Sequence, residues 1–421
     1  MSTFTGIIGI VLFLAIAFLM SNNKKRINLK TVGVGLLLQI LLAFFILKVP
    51  VGVKIFSLVA KVINKILDAS MEGALFTFGW LCDDFSNHFI YALMLIATMI
   101  FIMALVNILY YYGIMQRVIL ILGRIMNKIM DVSGAEALSN CASPFVGNVG
   151  AQSMIKPYLP NLTRSELLAS MTGSTACLSA GCLAMYSGFG IPLEYLLAAS
   201  VMSAPGAFVI SKIVYPEVDV PQTKDNFKIS RRRTDANVLA AISKGASDGM
   251  KVSLNIIASL IALIALITFC NFILAKCGSF VVSAWHFNLT NIGIDLNNLS
   301  IEMLLGKLFS VFSAAMGTTW GHIEQVGTLI GQKFVLNECV SYLDMKELMA
   351  VNAMDQKSIA IATFALAGFA NLSTVAIQIS GIGELAPNQR KNLARFGVKA
   401  LICGTLTSYV SACIAGIVVS L

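Results

Sequence analysis

Apolar runs about one membrane-crossing helix long alternate with short polar stretches along most of the chain. A spanning helix needs ~20 consecutive, mostly apolar residues. The runs at 5–20, 32–47, 90–111, 193–214, 250–274 and 398–419 fit that description without internal interruption. Two others, 167–188 and 359–382, are apolar but broken by small and polar residues, Thr172 to Cys177 in the first and Gly368 to Thr374 in the second. Two further stretches, 134–158 and 327–345, are too polar to face lipid. The second carries Lys333, Asn337, Glu338 and Asp344. An ionised group at the bilayer centre costs on the order of 2.5–3.5 kcal/mol, so these residues must face protein or a water-filled cavity. Gly327 and Gly331 would let another backbone approach closely. The first of these stretches is small, polar and glycine-bearing, and Pro144 would break a helix in its interior. Both read as re-entrant hairpins, irregular backbone at membrane depth being tolerated only where protein or water surrounds it. Residues 51–68, 112–133 and 235–249 mix Lys and Arg with apolar residues at helical spacing, the mark of helices lying in the interface.

The pattern therefore predicts an all-α polytopic membrane protein with eight transmembrane helices, two re-entrant hairpins and interfacial helices. Each hairpin precedes an interrupted helix by a similar offset, and the intervening spans put the hairpins on opposite membrane sides. That arrangement is an inverted repeat, with a binding site expected where the halves meet. The domain reading follows the same divisions. Residues 1–89 form peripheral or scaffold spans with an interfacial helix, and 90–133 a scaffold span with an interfacial segment. Residues 134–214 form the first transport half. Residues 215–300 form a cytoplasmic loop, an interfacial helix and a long scaffold span, and 301–421 the second transport half. An exposed loop is expected at 275–300.

Composition removes other classes. The 421 residues are 57% hydrophobic and only 12% charged, against roughly 25% charged in soluble domains. A soluble enzyme is excluded. The net charge of +9 does not imply nucleic acid, because the basic residues sit between apolar runs. Lys24, Lys25, Arg26, Arg117, Arg124, Arg231 to Arg233, Arg390, Lys391 and Arg395 fall on one side of the predicted topology, which the positive-inside rule makes cytoplasmic. Both termini then lie outside. The lysines at 54, 61 and 65 fit this alternation least well. The nine cysteines lie mostly inside apolar runs and form no CxxC pair, and the three histidines are scattered, so neither disulfide framework nor metal motif is indicated. A polar hairpin beside a polar-interrupted helix is the pattern of a transporter's substrate site. The alternative is that both polar sets simply hold helices together.

Several motifs resemble one family. They are Phe145-Val146-Gly147, Ile155-Lys156-Pro157-Tyr158, Thr163-Arg164-Ser165-Glu166-Leu167, Met171-Thr172-Gly173 and the run from Leu197 to Pro205. In the second half they are Gly331 with Lys333, Leu336-Asn337-Glu338, Tyr342-Leu343-Asp344, Gly368-Phe369-Ala370-Asn371 and Gly381-Ile382-Gly383. Together, over residues 90–421, they resemble the concentrative nucleoside transporter family. The resemblance implies a homotrimer in the plasma membrane, ion-coupled nucleoside uptake, and elevator-like movement of a transport domain against a scaffold. A bacterial inner membrane, with periplasmic termini, fits the compact length.

Carried over position by position, Glu338 matches the carboxylate that binds ribose hydroxyls and Asn371 the ribose-binding amide. Thr374 stands where the family usually has a serine, and Phe369 matches an aromatic near the base. A carboxylate that accepts from vicinal hydroxyls, bracketed by an amide, is chemically apt. The first hairpin departs from the pattern. Where the family commonly reads Gly-Gln-Thr-Glu-Ala-Pro, this chain has Gly147-Asn148-Val149-Gly150-Ala151-Gln152. Asn148, Val149 and Gln152 are then the candidate base readers. The family's sodium site maps to Ser143, Val146, Cys177 and Leu178, with Ser143 in place of an Asn and Cys177 in place of a Ser. Sodium prefers hard oxygen ligands, by the argument that governs other oxygen-bound cations, so a proton carried by Glu338 rivals Na+ as the coupling ion. No other cofactor is expected. The departures leave open a transporter of another substrate, or a non-transporting gate or receptor of the same fold.

Overall fold

The computed structural model describes residues 2–82, 90–224, 236–285 and 295–421. The basic cluster at 231–233, and residues 286–294 of the expected loop, lie outside the described residues. All regular structure among the described residues is helical. Helices α1 (Ser2–Leu19) and α2 (Leu29–Leu47) are the first two apolar runs, followed by a long amphipathic α3 (Pro50–Phe78). Next come α4 (Tyr91–Tyr111) and α5 (Ile114–Met130), the latter carrying Arg117, Arg124 and Lys128. The first hairpin is α6 (Gly134–Val146) and α7 (Asn148–Met154), and the broken helix after it is α8 (Arg164–Ala176) and α9 (Ala180–Gly188). The apolar α10 (Leu193–Val214) completes this series.

Beyond α11 (Val238–Trp285) and α12 (Ile301–Ala315) the series recurs. A hairpin, α13 (Ile323–Val335) with α14 (Glu338–Ala350), precedes a broken helix, α15 (Gln356–Leu366) with α16 (Leu372–Leu385), and then a long helix, α17 (Arg390–Ser420). Among the described residues, six helical stretches are long and apolar enough to cross a membrane, and α1 and α16 are shorter apolar helices. The chain is an all-α polytopic membrane protein.

The structure corrects the sequence reading in five places. The interfacial helix expected at 235–249 and the span at 250–274 are one continuous helix of 48 residues, ~72 Å long at ~1.5 Å per residue. A helix need not end where the lipid does; Lys244, Asp248 and Lys251 add polarity without breaking the backbone. Much of the loop expected from 275 is the end of this helix. Residues 172–176 belong to α8, and the break falls at 177–179. Ser174 and Thr175 return their hydroxyls to the carbonyls of Ser170 and Met171, four residues back, so small polar residues are accommodated inside the helix. Pro144 does not stop α6 at once; the helix runs two residues further and turns at Gly147. Helix α12 has no counterpart in the sequence reading.

Glycines set the closest contacts. Gly245 and Gly249, one turn apart on α11, abut α4; a Cβ on Gly249 would lie 2.6 Å from the Met99 carbonyl oxygen. Gly327 and Gly331 play the same part between α13 and α12, as the sequence suggested: a Cβ on Gly327 would lie 2.7 Å from the Ser310 nitrogen. The α8–α9 stretch, α10 and α17 are mostly inside the protein (89%, 89% and 83% of their apolar stretches), whereas only 6% of that of α11 is. Helix α11 therefore presents its apolar side outward.

Candidate functional site

The two broken helices meet at their breaks. Gly368 has φ +113°, a conformation that L side chains rarely adopt, and a Cβ there would lie 2.7 Å from the carbonyl carbon and oxygen of Ala176. Only glycine lets α15–α16 cross α8–α9 this closely. Helix α17 lies against both: Ser408 donates to the Ala367 carbonyl (2.7 Å), and Thr175 donates to the Ala400 carbonyl (3.2 Å). The broken backbone thus finds partners without lipid.

The site residues of the second half stand at helix starts around this crossing. Asn337 caps α14 by accepting from the Val340 nitrogen, which makes Glu338 the first residue of that helix. Asn371 caps α16 by accepting from the Thr374 nitrogen at 3.0 Å. Two helix N-termini, each with unpaired N–H groups and the positive end of a dipole, therefore face one region. Glu338, only 6% exposed, accepts from the Tyr186 hydroxyl (3.0 Å) through Oε1 and from the Asn371 amide (3.1 Å) through Oε2. Thr374 and Ser373 both donate to Asn371 Oδ1, at 3.0 and 2.7 Å. Phe369 is half-buried at the same break. Glu338, Asn371, Thr374 and Phe369 are thus brought together.

One residue of this set was not visible in sequence, and Ser373 was legible only as part of the polar run 368–374. Tyr186 comes from α9 in the other half and packs against Tyr342, the rings tilted by 33° with centroids 4.4 Å apart. Ser373 adds a hydroxyl beside the threonine. Lys333, also buried, donates to the Ala365 carbonyl at 2.9 Å near the end of α15, and Asp344 braces the hairpin by accepting from Gln332 at 2.6 Å.

The first hairpin divides its three candidate base readers. Asn148, half-buried at the start of α7, accepts through Oδ1 from Gln378 on α16 at 2.9 Å. Val149 packs on α16 instead, its methyls over Gly381, where a Cβ would lie 2.7 Å away. Gln152 is fully buried, and its amide is consumed locally. It donates to the Ser170 carbonyl and Ser174 hydroxyl (3.1 and 2.8 Å) and accepts from Ser170 and Ser139 (2.6 and 3.4 Å). Two donors and two lone pairs exhaust an amide, so Gln152 ties the hairpin to α8 and has no group left for a base. Gln378, absent from the sequence reading, takes up the contact with the hairpin.

Ser143, Val146, Cys177 and Leu178 are also gathered. Ser143 and Val146 lie in the last turn of α6, and Cys177 and Leu178 in the α8–α9 break, with Cys177 extended. Gly147, at the hairpin tip with φ +76°, approaches this break closely enough that its Cβ would lie 3.3 Å from that of Ser179. Ser143 Oγ donates to the Ser139 carbonyl at 3.0 Å and lies 3.4 Å from Ser174 Oγ. Outside the hairpin, Phe145, Gly150 and Lys156 border a cavity of about 1280 Å³ whose other wall is formed by Tyr110, Arg117 and Lys251 of the α4, α5 and α11 side. A buried ion pair, Lys212 with Glu136 at 2.7 Å, fastens α10 to the start of α6.

Comparison with known proteins agrees with this architecture. Residues 8–81 and 195–416 match the N-terminal and C-terminal models described as Na+ dependent nucleoside transporter, and 92–193 match a model described as nucleoside recognition. An uncharacterized transporter of Haemophilus influenzae is 37% identical over 100% of this chain and 99% of its own length. The nucleoside permease NupC of Helicobacter pylori is 33% identical, with coverage of 100% and 99%. The solved structure of CNTnw in an inward-facing substrate-bound state superposes with a TM-score of 0.92 at 34% identity, covering 100% of this chain and 98% of that one. On these matches and this geometry, the chain belongs to the concentrative nucleoside transporter family.

Proposed function

We propose that this protein imports nucleosides by ion-coupled alternating access, with the sugar held between Glu338 and Asn371. The observation that carries the reading is that pair itself: a buried carboxylate and an amide, 3.1 Å apart, each at the start of a half-helix. Vicinal ribose hydroxyls donate to the carboxylate and accept from the amide, replacing a contact the two side chains make with each other. Thr374 and Tyr186 complete the polar wall, and Phe369 offers its ring to the base. The transport halves, 134–214 and 301–421, move as an elevator against the α4–α11 side, and the large cavity beside the first hairpin opens the path. The outward-facing α11 supports assembly into a homotrimer. The protein resides in a bacterial inner membrane with periplasmic termini.

The family match supports a coupling ion. Ser143, Val146, Cys177 and Leu178 are the sodium-site positions, but a thiol and a short hydroxyl make poorer ligands there than an amide and a serine. Sodium dependence is correspondingly weak in this reading, with a proton on Glu338 as the alternative driver. The binding test is Glu338→Gln. A hydrogen bond to a charged group contributes roughly 1.5–3 kcal/mol, about ten- to a hundredfold in affinity. Calorimetry on the purified variant should show that loss for every ribonucleoside the parent binds. Unchanged affinity would remove Glu338 from the site.

A further inference from the structure

The bond between Gln378 and Asn148 joins the two repeats, and its direction can be assigned. Gln378 is fully buried on α16. Its Nε2 lies 3.0 Å from the Met171 carbonyl and 2.9 Å from Asn148 Oδ1. A backbone carbonyl only accepts, so the atom facing Met171 must be the amide nitrogen. That nitrogen's second hydrogen then requires an acceptor, so Asn148 must turn its oxygen towards Gln378. The amide nitrogen of Asn148 is left pointing elsewhere, on a half-buried side chain beside the turn of the hairpin.

Asn371, Thr374 and Gln378 occupy the same face of α16, at i, i+3 and i+7. From Asn371 to Gln378 the helix rises ~10 Å at ~1.5 Å per residue, comparable to the long dimension of a nucleoside. If the sugar sits at Asn371, the base reaches Asn148.

We infer that Gln378 is a positioning residue that locks Asn148 with its amide nitrogen towards the base, so that the site selects bases by a carbonyl rather than an amino group. The inference rests on the proposed nucleoside site. It identifies the substrate class as nucleosides with a carbonyl on the base edge: uridine over cytidine at C4, and inosine over adenosine at C6. Each pair exchanges donor and acceptor between the exocyclic position and the adjacent ring nitrogen, so a donor aimed at the exocyclic position meets an acceptor in one member and a second donor in the other. A site built to hydrogen-bond one group leaves that group unpaired with the wrong partner, which is where large discrimination arises.

The test is competition of one labelled nucleoside by uridine, cytidine, inosine and adenosine, on parent, Asn148→Asp and Gln378→Ala. The parent should favour the carbonyl member of each pair on the order of tenfold. Asn148→Asp presents only acceptors and should reverse both preferences while Gln378 still donates to it. Gln378→Ala frees the amide to rotate and should bring both ratios close to one while sugar-dependent binding persists. A role of Gln378 in stability alone would lower the binding-competent fraction without altering these ratios. Because Gln378→Ala removes a fully buried side chain that bonds both α8 and the hairpin and can impair folding, the Asn148→Asp reversal stands as an independent arm. A parent preference for cytidine and adenosine, or ratios unchanged in Asn148→Asp, would overturn the inference and leave the nucleoside site standing. Binding of none of the four would overturn the proposed function together with it.

Discussion

At the scale of single residues, polar side chains in this membrane protein either satisfy one another completely or keep a group free for a ligand, and geometry separates the two. Gln152 and Asn148 lie four positions apart on one hairpin, yet Gln152 spends its whole amide on Ser139, Ser170 and Ser174. Replacing it with Ala removes these buried hydrogen bonds between the hairpin and α8, at a cost of about 1–3 kcal/mol. The expected outcome for Gln152→Ala is a lower Tm in detergent with unchanged relative affinities among nucleosides. A changed base preference at unchanged Tm would return Gln152 to the site. Glu338 and Asn371 were legible from sequence because a carboxylate and an amide in apolar surroundings have few inexpensive explanations. Tyr186 and Gln378 were not. Their meaning comes from partners 152 and 230 residues away, and a tyrosine or glutamine inside a helical run carries no sign of that pairing.

At the scale of elements, the hairpins and broken helices were legible because polarity interrupts apolar runs at points no lipid-facing helix tolerates. Their limits were less so. Hydroxyls that bond back along α8 hide in the helix, and the continuous α11 conceals where lipid gives way to water. The α12–α13 pair illustrates what glycine contributes. Its two helices touch through Gly306, Gly327 and Gly331, and a side chain on Gly327 would meet the backbone of Ser310 and Gly306. Gly327→Leu should force the pair apart, and overpacking of this kind costs about 1–3 kcal/mol. A clear fall in Tm by differential scanning fluorimetry is expected. An unchanged Tm would mean that α12 does not pack there.

At the scale of the whole molecule, the two series of hairpin, broken helix and long helix cross at Gly368 and Ala176, so each half completes the other's site. Tyr186 of one half bonds Glu338 of the other, and Gln378 of the second half bonds Asn148 of the first. The order of elements was readable in sequence; the crossing was not, because it depends on a backbone contact. Cys277, near the end of α11, is the exposed cysteine, whereas Cys270 is partly buried and the other seven are buried. With periplasmic termini, that end of α11 is also periplasmic, so a membrane-impermeant maleimide should label Cys277 in intact cells. Labelling only after permeabilisation would invert the topology.

The central claim is that this arrangement moves nucleosides against a gradient, and uptake into proteoliposomes tests it most directly. Purified protein is reconstituted, and labelled uridine is supplied with an inward sodium gradient, an inward proton gradient, both or neither. The account predicts accumulation above equilibrium under at least one gradient, a modest response to sodium, and loss of uptake in Glu338→Gln. Folded parent protein that accumulates no nucleoside under any gradient would contradict it.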